Sequence, residues 1–204
     1  MSARAESLKA LLRDARLWQG DRQAPLRAMP TGHARLDAAL PGGGWPCANL
    51  SEIVYVAPGV GELQLAMPLL ARLTQAKRPL ALIAPPHLPY APALRQHGVA
   101  LSKLTVVDTA NDHDALWASE ELLRARAGAV LLWHDTIDTI AQRRLQLAAE
   151  TGDGIALVYR RLTRRDTASV AALRLKVEYV AGAPRIEVLK CRGARPTRAY
   201  ALDA

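Results

Sequence analysis

The sequence is poor in cysteine and in aromatic side chains. Its 204 residues include two cysteines, no phenylalanine and only 4% aromatic residues. Neither Cys47 nor Cys191 belongs to a Cys-x-x-Cys pair or a Cys/His cluster, which argues against a metal site. Two free thiols predict a reducing, cytoplasmic environment. No apolar run reaches the ~18 residues of a membrane span, so we expect no membrane association.

The composition indicates a globular protein with basic ends. Hydrophobic residues make up 50% of the chain and charged residues 23%, which excludes a disordered class. The net charge of +8 is unevenly placed. Residues 1–28 carry six basic and three acidic groups. Residues 29–159 carry ten basic and twelve acidic groups, and residues 160–204 carry eleven basic and four acidic groups. The basic ends predict contact with a polyanion or an acidic protein surface, although basic tails also serve solubility alone.

The N-terminal segment predicts a separate amphipathic helix. Ser7 precedes an apolar stripe at helical spacing that includes Leu11 and Trp18, and a linker with two prolines follows at 21–30. The stripe either packs on its own domain or docks on a partner or a second copy of the chain, so Leu11 and Trp18 are candidate contact residues. We predict three units: this helix and linker (1–29), a core (30–192) and a basic tail (193–204).

Strands and helices alternate through the core. We predict strands at 53–56, 80–83, 104–107, 129–133 and 154–159, separated by helices at 62–76, 90–97, 112–127 and 136–150. This alternation predicts an α/β fold with a mostly parallel sheet and helices on both faces. Two further strands, at 171–179 and 185–190, have no helix between them. We expect them to form a C-terminal antiparallel hairpin.

The loop after the first predicted strand occupies the place of a phosphate-binding loop. Gly59 and Gly61 are present, but Glu62 stands where the motif requires lysine and Leu63 where it requires a hydroxyl. A carboxylate ~4 Å from a phosphate costs roughly 4 kcal/mol at an effective dielectric near 20. We therefore expect no tight ATP binding and no cofactor, and we expect Glu62 to cap the following helix.

Other catalytic arrangements are also missing from the sequence. The five histidines are scattered, and there is no Gly-x-Ser-x-Gly turn to present a nucleophile. His134-Asp135 follows a strand, where catalytic groups often lie, but a polar turn is the commoner explanation. The sequence therefore predicts no catalytic residues, and we expect the protein not to be an enzyme.

Several segments resemble the opening of the RecA core. They are Thr31-Gly32, Leu36-Asp37, Gly42-Gly43-Gly44-Trp45-Pro46 and Ser51-Glu52-Ile53. The resemblance implies a RecA-like fold in which three catalytic positions are lost. Glu62 replaces the phosphate lysine, Pro86 falls near the place of the catalytic glutamate, and Trp133 falls near that of the magnesium-linked aspartate.

Other segments resemble the ImuA family, which is RecA-like. They are Gly61 to Leu65, Ile83 to Leu94 and Arg143 to Glu150. This resemblance covers about residues 30–196. It implies a non-enzymatic adaptor of SOS-induced mutagenic translesion synthesis, a DNA-damage and DNA-repair function. Such an adaptor bridges an ImuB-like protein and RecA, and indirectly an error-prone DNA polymerase.

The SulA family shares the central degenerate core and provides the alternative. A segment like Ile83-Ala84-Pro85-Pro86 occurs in it. Membership there implies a cell division inhibitor that binds the tubulin-like protein FtsZ. The sequence favours the ImuA family, because this chain has both the opening that runs from Leu36 to Pro46 and a long basic C-terminal region.

Two sets of basic residues are candidate binding residues. The strand with Lys190 and Arg192 resembles the RecA strand whose Lys-x-Lys reaches the ATP of the neighbouring subunit, so this pair is a candidate contact to a RecA-type partner's nucleotide. The other set predicts a basic loop and tail: Arg160, Arg161, Arg164, Arg165, Arg195 and Arg198. Without aromatic side chains in the loop, DNA contact there would be weak, non-specific and salt-sensitive.

Overall fold

The computed structural model describes residues 27–162, 169–180, 183–193 and 200–201. The predicted N-terminal helix with Leu11 and Trp18 lies outside these ranges. So do four of the basic candidates, which are Arg164, Arg165, Arg195 and Arg198. The boundaries predicted at residues 29 and 192 therefore stay predictions.

The described chain is built around one large sheet. A short ladder joins β1 (Ala28–Met29) to β2 (Trp45–Pro46). The large sheet contains β3 (Asn49–Tyr55), β4 (Leu80–Ile83), β5 (Leu104–Val107), β6 (Ala129–Trp133), β7 (Ile155–Arg161), β8 (Leu173–Val180), β9 (Ala183–Cys191) and β10 (Tyr200–Ala201). Its order is β10-β9-β8-β3-β7-β6-β4-β5. The strands from β8 to β5 pair in parallel, whereas β9 is antiparallel to β8 and to β10.

Helices cover both faces of the sheet and create two apolar layers. They are α1 (Ala34–Ala39), α2 (Met67–Gln75), α3 (Ala91–Gln96), α4 (Asp112–Arg124) and α5 (Thr139–Gly152). One layer joins α1, α2 and α3 to the side of β3 that carries Ile53. The other joins α4 and α5 to the opposite side, which carries Leu50. Because successive strand residues point to opposite faces, β3 contributes alternately to both layers.

The structure confirms the mixed α/β architecture, the mostly parallel sheet and the C-terminal antiparallel hairpin. It corrects two helix starts. Helix α2 begins at Met67, after a short 3₁₀ turn at Gln64–Ala66, because Pro68 is accommodated only in a first turn. Helix α5 begins at Thr139, where the Asp138 side chain accepts a hydrogen bond from the Ala141 N–H.

Among the described residues, no helix combines the length and the apolarity needed to cross a lipid bilayer.

Candidate functional site

The loop that follows β3 is closed by one of its own side chains. Gly59 and Gly61 have φ angles of 85° and 92°, which glycine adopts without strain. Both carboxylate oxygens of Glu62 accept a hydrogen bond from the Gly59 N–H, at 3.0 and 3.1 Å. Glu62 is 7% exposed. A backbone donor that a phosphate would use therefore already binds a carboxylate of the same chain.

This geometry corrects the predicted role of Glu62. We expected its carboxylate to cap the helix that follows, but α2 does not begin until Met67. The carboxylate instead turns back toward Gly59 and holds the loop itself. Leu63, at the position of the motif's hydroxyl, packs against the apolar core.

A cleft of about 460 Å³ opens beside this loop, at the carboxyl ends of β3, β4 and β6. Open α/β sheets commonly bind ligands at this edge. Pro86 and Trp133, which the RecA resemblance identifies as altered catalytic positions, both line it. The other lining residues are Tyr55, Pro58, Ala84, His87, Asp112, His134, Asp135, Thr136 and Arg161. Within the described ranges, no group of three His, Cys, Asp or Glu side chains is arranged to hold a metal ion.

Two tyrosines near Glu62 are held neutral. Burial raises the pKa of Tyr55 to about 12, and the negative charges of Asp135 and Glu62 add to the effect. Burial also raises the pKa of Tyr159 well above its ordinary value, with Glu62 again contributing. The ring of Tyr159 stacks on that of Trp133, with centroids 4.6 Å apart. Neither hydroxyl is therefore prepared to act as a base near neutral pH.

The His134-Asp135 pair, read from the sequence as a polar turn, connects three elements. The buried His134 ring places Nε2 3.6 Å from Oδ2 of Asp112, at the start of α4. Thr136 donates its hydroxyl to the same oxygen at 3.1 Å. Asp135 accepts hydrogen bonds from the backbone N–H and the Nε–H of Arg161, at 2.8 and 2.5 Å. These contacts tie the ends of β6, β7 and α4 together.

The predicted basic loop at Arg160 and Arg161 is not a free cationic surface. Arg160 is 4% exposed and lies on β7, where its Nη1 is 3.1 Å from Oε1 of the buried Glu52. Arg174 on β8 places its Nε 3.0 Å from the other oxygen of Glu52. Arg160 is therefore buried rather than part of an exposed basic loop, because β7 extends to Arg161 and turns Arg160 inward. A glutamate inside an apolar strand was the sequence signal that a buried cation is needed.

Lys190 and Arg192 lie at the opposite end of the sheet. Both line a smaller cavity of about 270 Å³, together with Asn49 at the start of β3. The ammonium group of Lys190 donates to the Ser169 carbonyl at 2.7 Å. Strand β3 is seven residues long and therefore spans roughly 20 Å from this end of the sheet to the Glu62 loop. Neither cation can reach the Glu62 loop of its own chain across that distance. Their proposed contact with a partner's nucleotide stays a prediction.

We expect the charge at position 62 to decide anion binding by this loop. Glu62→Lys removes a repulsive charge that costs a phosphate roughly 4 kcal/mol, which corresponds to about a thousand-fold in affinity. Titration calorimetry with pyrophosphate should detect binding by this variant and none by the parent protein at the same concentrations. Glu150→Lys, an equal charge change at an exposed position of α5, should behave like the parent. Equal binding by all three proteins would contradict the prediction.

Comparison with known proteins relates the chain to two groups. The family model described as cell division inhibitor SulA matches residues 48–156, just over half of the chain. The cell division inhibitor SulA of Yersinia pseudotuberculosis is 29% identical over 145 residues, which cover 71% of this chain and 83% of that protein. The crystal structure of SulA from Pseudomonas aeruginosa is 30% identical, with a TM-score of 0.47, over 55% of this chain and 98% of the other.

The RecA group is matched over a longer segment. The RecA protein of Bartonella tribocorum is 28% identical over 185 residues, or 83% of this chain. The chain spans about half the length of that relative, 52%. The family-model match and the Yersinia relative favour the SulA family, our alternative, over the ImuA family. The chain belongs to the family of the cell division inhibitor SulA.

Proposed function

We propose that this protein is a non-enzymatic inhibitor of cell division that acts by binding FtsZ. The observation that carries the proposal is the SulA family match across residues 48–156, which include the closed loop and every residue that lines the cleft except Arg161. The Glu62 carboxylate on the Gly59 N–H supports a role without nucleotide hydrolysis. Activity then comes from surfaces that bind another protein.

The carboxyl end of the sheet is the binding surface we favour. Three apolar side chains are prominently exposed there: Val56 at 57%, Leu88 at 84% and Tyr90 at 73%. Val56 follows β3, and the other two lie in the proline-rich loop that follows β4. Exposed apolar groups at the edge of a sheet that carries a cleft are typical of protein interaction sites. All three lie within the matched segment, and Leu88 and Tyr90 are the most exposed of them, so these two are the residues to test.

A sedimentation assay of FtsZ assembly tests this function. We expect the purified chain to reduce the GTP-dependent pelleting of FtsZ in proportion to its concentration. Leu88→Ser with Tyr90→Ser should weaken this inhibition at least tenfold, since it removes apolar contact area at the proposed surface. Leu147→Ser, at an exposed apolar position on α5, is the matched control and should inhibit like the parent. Unchanged FtsZ assembly at a stoichiometric excess of the parent protein would refute the proposal.

A second candidate is the RecA-like adaptor role expected from the ImuA resemblance. One observation favours it: the similarity to RecA covers 83% of the chain and so extends beyond the segment matched by the SulA model. The β8–β9 hairpin, with Lys190, lies beyond residue 156. The implied partners are an ImuB-like protein and RecA, with an error-prone polymerase reached indirectly.

A capture assay, in which the chain is immobilised and candidate partner proteins are passed over it, distinguishes the two proposed functions. A division inhibitor retains FtsZ, whereas an adaptor retains RecA filaments and an ImuB-like protein. In the adaptor case, Lys190→Ala with Arg192→Ala should abolish RecA capture and leave the circular dichroism spectrum unchanged. RecA capture that survives this double replacement would remove these two cations from the contact.

A further inference from the structure

The cleft at the carboxyl end of the sheet is an acidic site on a basic protein. Asp112 and Asp135 line it, and Arg161 is the one arginine among the described lining residues. Burial raises the pKa of Tyr55 in the same wall, and the negative charges of Asp135 and the nearby Glu62 raise it further. The whole chain, in contrast, carries a net charge of +8. This local excess of carboxylates favours a positively charged occupant.

Asp112 is the carboxylate of this group with the most hydrogen-bonding capacity left. Both oxygens of Asp135 already accept hydrogen bonds from Arg161, and Glu62 is bound to its own loop. Asp112 accepts the Thr136 hydroxyl on Oδ2 at 3.1 Å, whereas its Oδ1 accepts no hydrogen bond from the described residues. The Asp112 side chain is 71% exposed. It is therefore accessible to a cation that enters the cleft.

A buried histidine beside Asp112 supplies a second acceptor. The His134 side chain is 4% exposed and lines the cleft, and neither ring nitrogen forms a hydrogen bond with any residue in the described ranges. Its Nε2 is 3.6 Å from Oδ2 of Asp112, which is too long for a hydrogen bond. A neutral imidazole has one acceptor nitrogen. Because a buried polar group without a partner is costly, its position here indicates that a donor from a ligand completes the site.

An arginine side chain matches this set of groups. Its planar guanidinium group carries five N–H donors and no acceptor, so it can donate to a carboxylate and to an imidazole nitrogen at the same time. The aromatic side chains of Tyr55 and Trp133 line the same cleft, and guanidinium groups stack favourably on such rings. The volume of about 460 Å³ leaves room for the whole side chain.

Exposed apolar side chains adjoin the cleft on two strands. Val56, 57% exposed, directly follows the lining residue Tyr55, and Leu88, 84% exposed, directly follows the lining residue His87. Protein interfaces commonly place an arginine in a pocket whose surroundings exclude water. A free small molecule in the cleft would leave these apolar groups in water, whereas a protein that inserts an arginine would cover them. The surroundings of the cleft therefore favour a protein as the source of the cation.

We propose that the cleft receives an arginine side chain of the protein partner. The guanidinium group donates to Asp112 and His134, and the rings of the two aromatic lining residues flank it. This inference rests on the proposed function, because the partner whose assembly the chain inhibits supplies the arginine. It adds a charged anchor to a surface that otherwise binds through apolar groups such as Leu88.

A nuclear magnetic resonance titration of the full chain with Nα-acetyl-arginine amide tests the cleft directly. This probe should shift the indole N–H signal of Trp133, assigned with Trp133→Phe, and leave that of Trp45 unchanged, since Trp45 is fully buried and does not line the cleft. The corresponding citrulline amide has nearly the same shape without the charge. It should bind roughly fivefold more weakly or worse, which is the upper end of what a partly exposed ion pair contributes.

Two variants assign the binding to Asp112. Asp112→Asn should weaken binding of the arginine probe by the same factor of roughly five. Its fold should be unaffected, because the cap of α4 is Asn111. Asp108→Asn is the matched control, since Asp108 is an exposed carboxylate that follows β5 at the same edge of the sheet but does not line the cleft. It should bind the arginine probe like the parent protein.

The sedimentation assay of FtsZ assembly connects the cleft to the proposed function. Asp112→Asn should weaken inhibition roughly fivefold, and Asp108→Asn should inhibit like the parent. If Asp112→Asn inhibits as well as the parent, the proposed function stands and this inference fails. If the parent does not inhibit FtsZ assembly, the proposed function fails, and the titration alone decides whether the cleft takes an arginine.

Three results of the titration would overturn the inference. They are the absence of any shift at Trp133 with the arginine probe, equal binding of the arginine and citrulline probes, and equal binding of the arginine probe by Asp112→Asn and Asp108→Asn.

Discussion

Replacing Glu52 by alanine should lower the free energy of unfolding by about 3–5 kcal/mol, the usual cost of removing one member of a buried ion network. Glu52 is fully buried on β3, directly opposite Arg174 on β8. It contacts Arg160 at 3.1 Å and Arg174 at 3.0 Å, and the Gln142 side-chain amide donates to it at 3.1 Å. Alanine removes the negative charge that both guanidinium groups face inside the protein.

Urea denaturation followed by circular dichroism measures this loss. Glu187→Ala is the matched control, because the Glu187 carboxylate is 41% exposed and lies 3.8 Å from Lys176. Its loss should cost at most about 1 kcal/mol, as is usual for surface pairs. If Glu52→Ala is no more destabilising than Glu187→Ala, the network does not hold β3, β7 and β8 together as the geometry indicates.

Gly152→Ala should destabilise the protein by about 2–3 kcal/mol or more. In most helices alanine is better than glycine by roughly 0.5–1 kcal/mol, so the expected sign is reversed here. Gly152 ends α5, and a Cβ atom there would lie 1.7 Å from the backbone carbonyl oxygen of Leu123 on α4. A backbone atom cannot move aside like a flexible side chain, so the two helices must separate.

Thermal unfolding compares this variant with Thr151→Ala, at the neighbouring exposed position. Thr151→Ala should leave the midpoint unchanged or raise it slightly, because alanine favours the helix. A midpoint for Gly152→Ala at or above that of the parent protein would mean that α4 and α5 are not in the close contact described.

The loop that follows β3 shows which features of the site could be predicted from the sequence. The substitution of Glu62 for lysine and Leu63 for a hydroxyl residue is visible in the chain, and it predicts a weak anion site by electrostatics alone. The direction in which the Glu62 carboxylate turns is not visible. It depends on Gly59 lying within hydrogen-bond distance, which the positive φ angles of the loop bring about.

The buried arginines show where local pattern reasoning fails. Arg160 and Arg161 adjoin further arginines, so their sequence context indicates an exposed basic loop. In the structure β7 continues through both, and alternation sends Arg160 inward to Glu52 and leaves Arg161 exposed with Asp135. The sequence analysis noted His134 but not its contact with Asp112, because the two residues meet only where α4 begins beside the end of β6.

By itself, the sequence determined the alternation of strands and helices, the terminal hairpin and the loss of the phosphate-loop lysine. These depend on periodicity and residue type, which are properties of short segments. Only the tertiary structure decided that Glu52 lies between two arginines and that α5 ends too close to α4 for a Cβ atom. Each of these depends on strand order and helix register, which bring distant residues together through packing of the whole sheet.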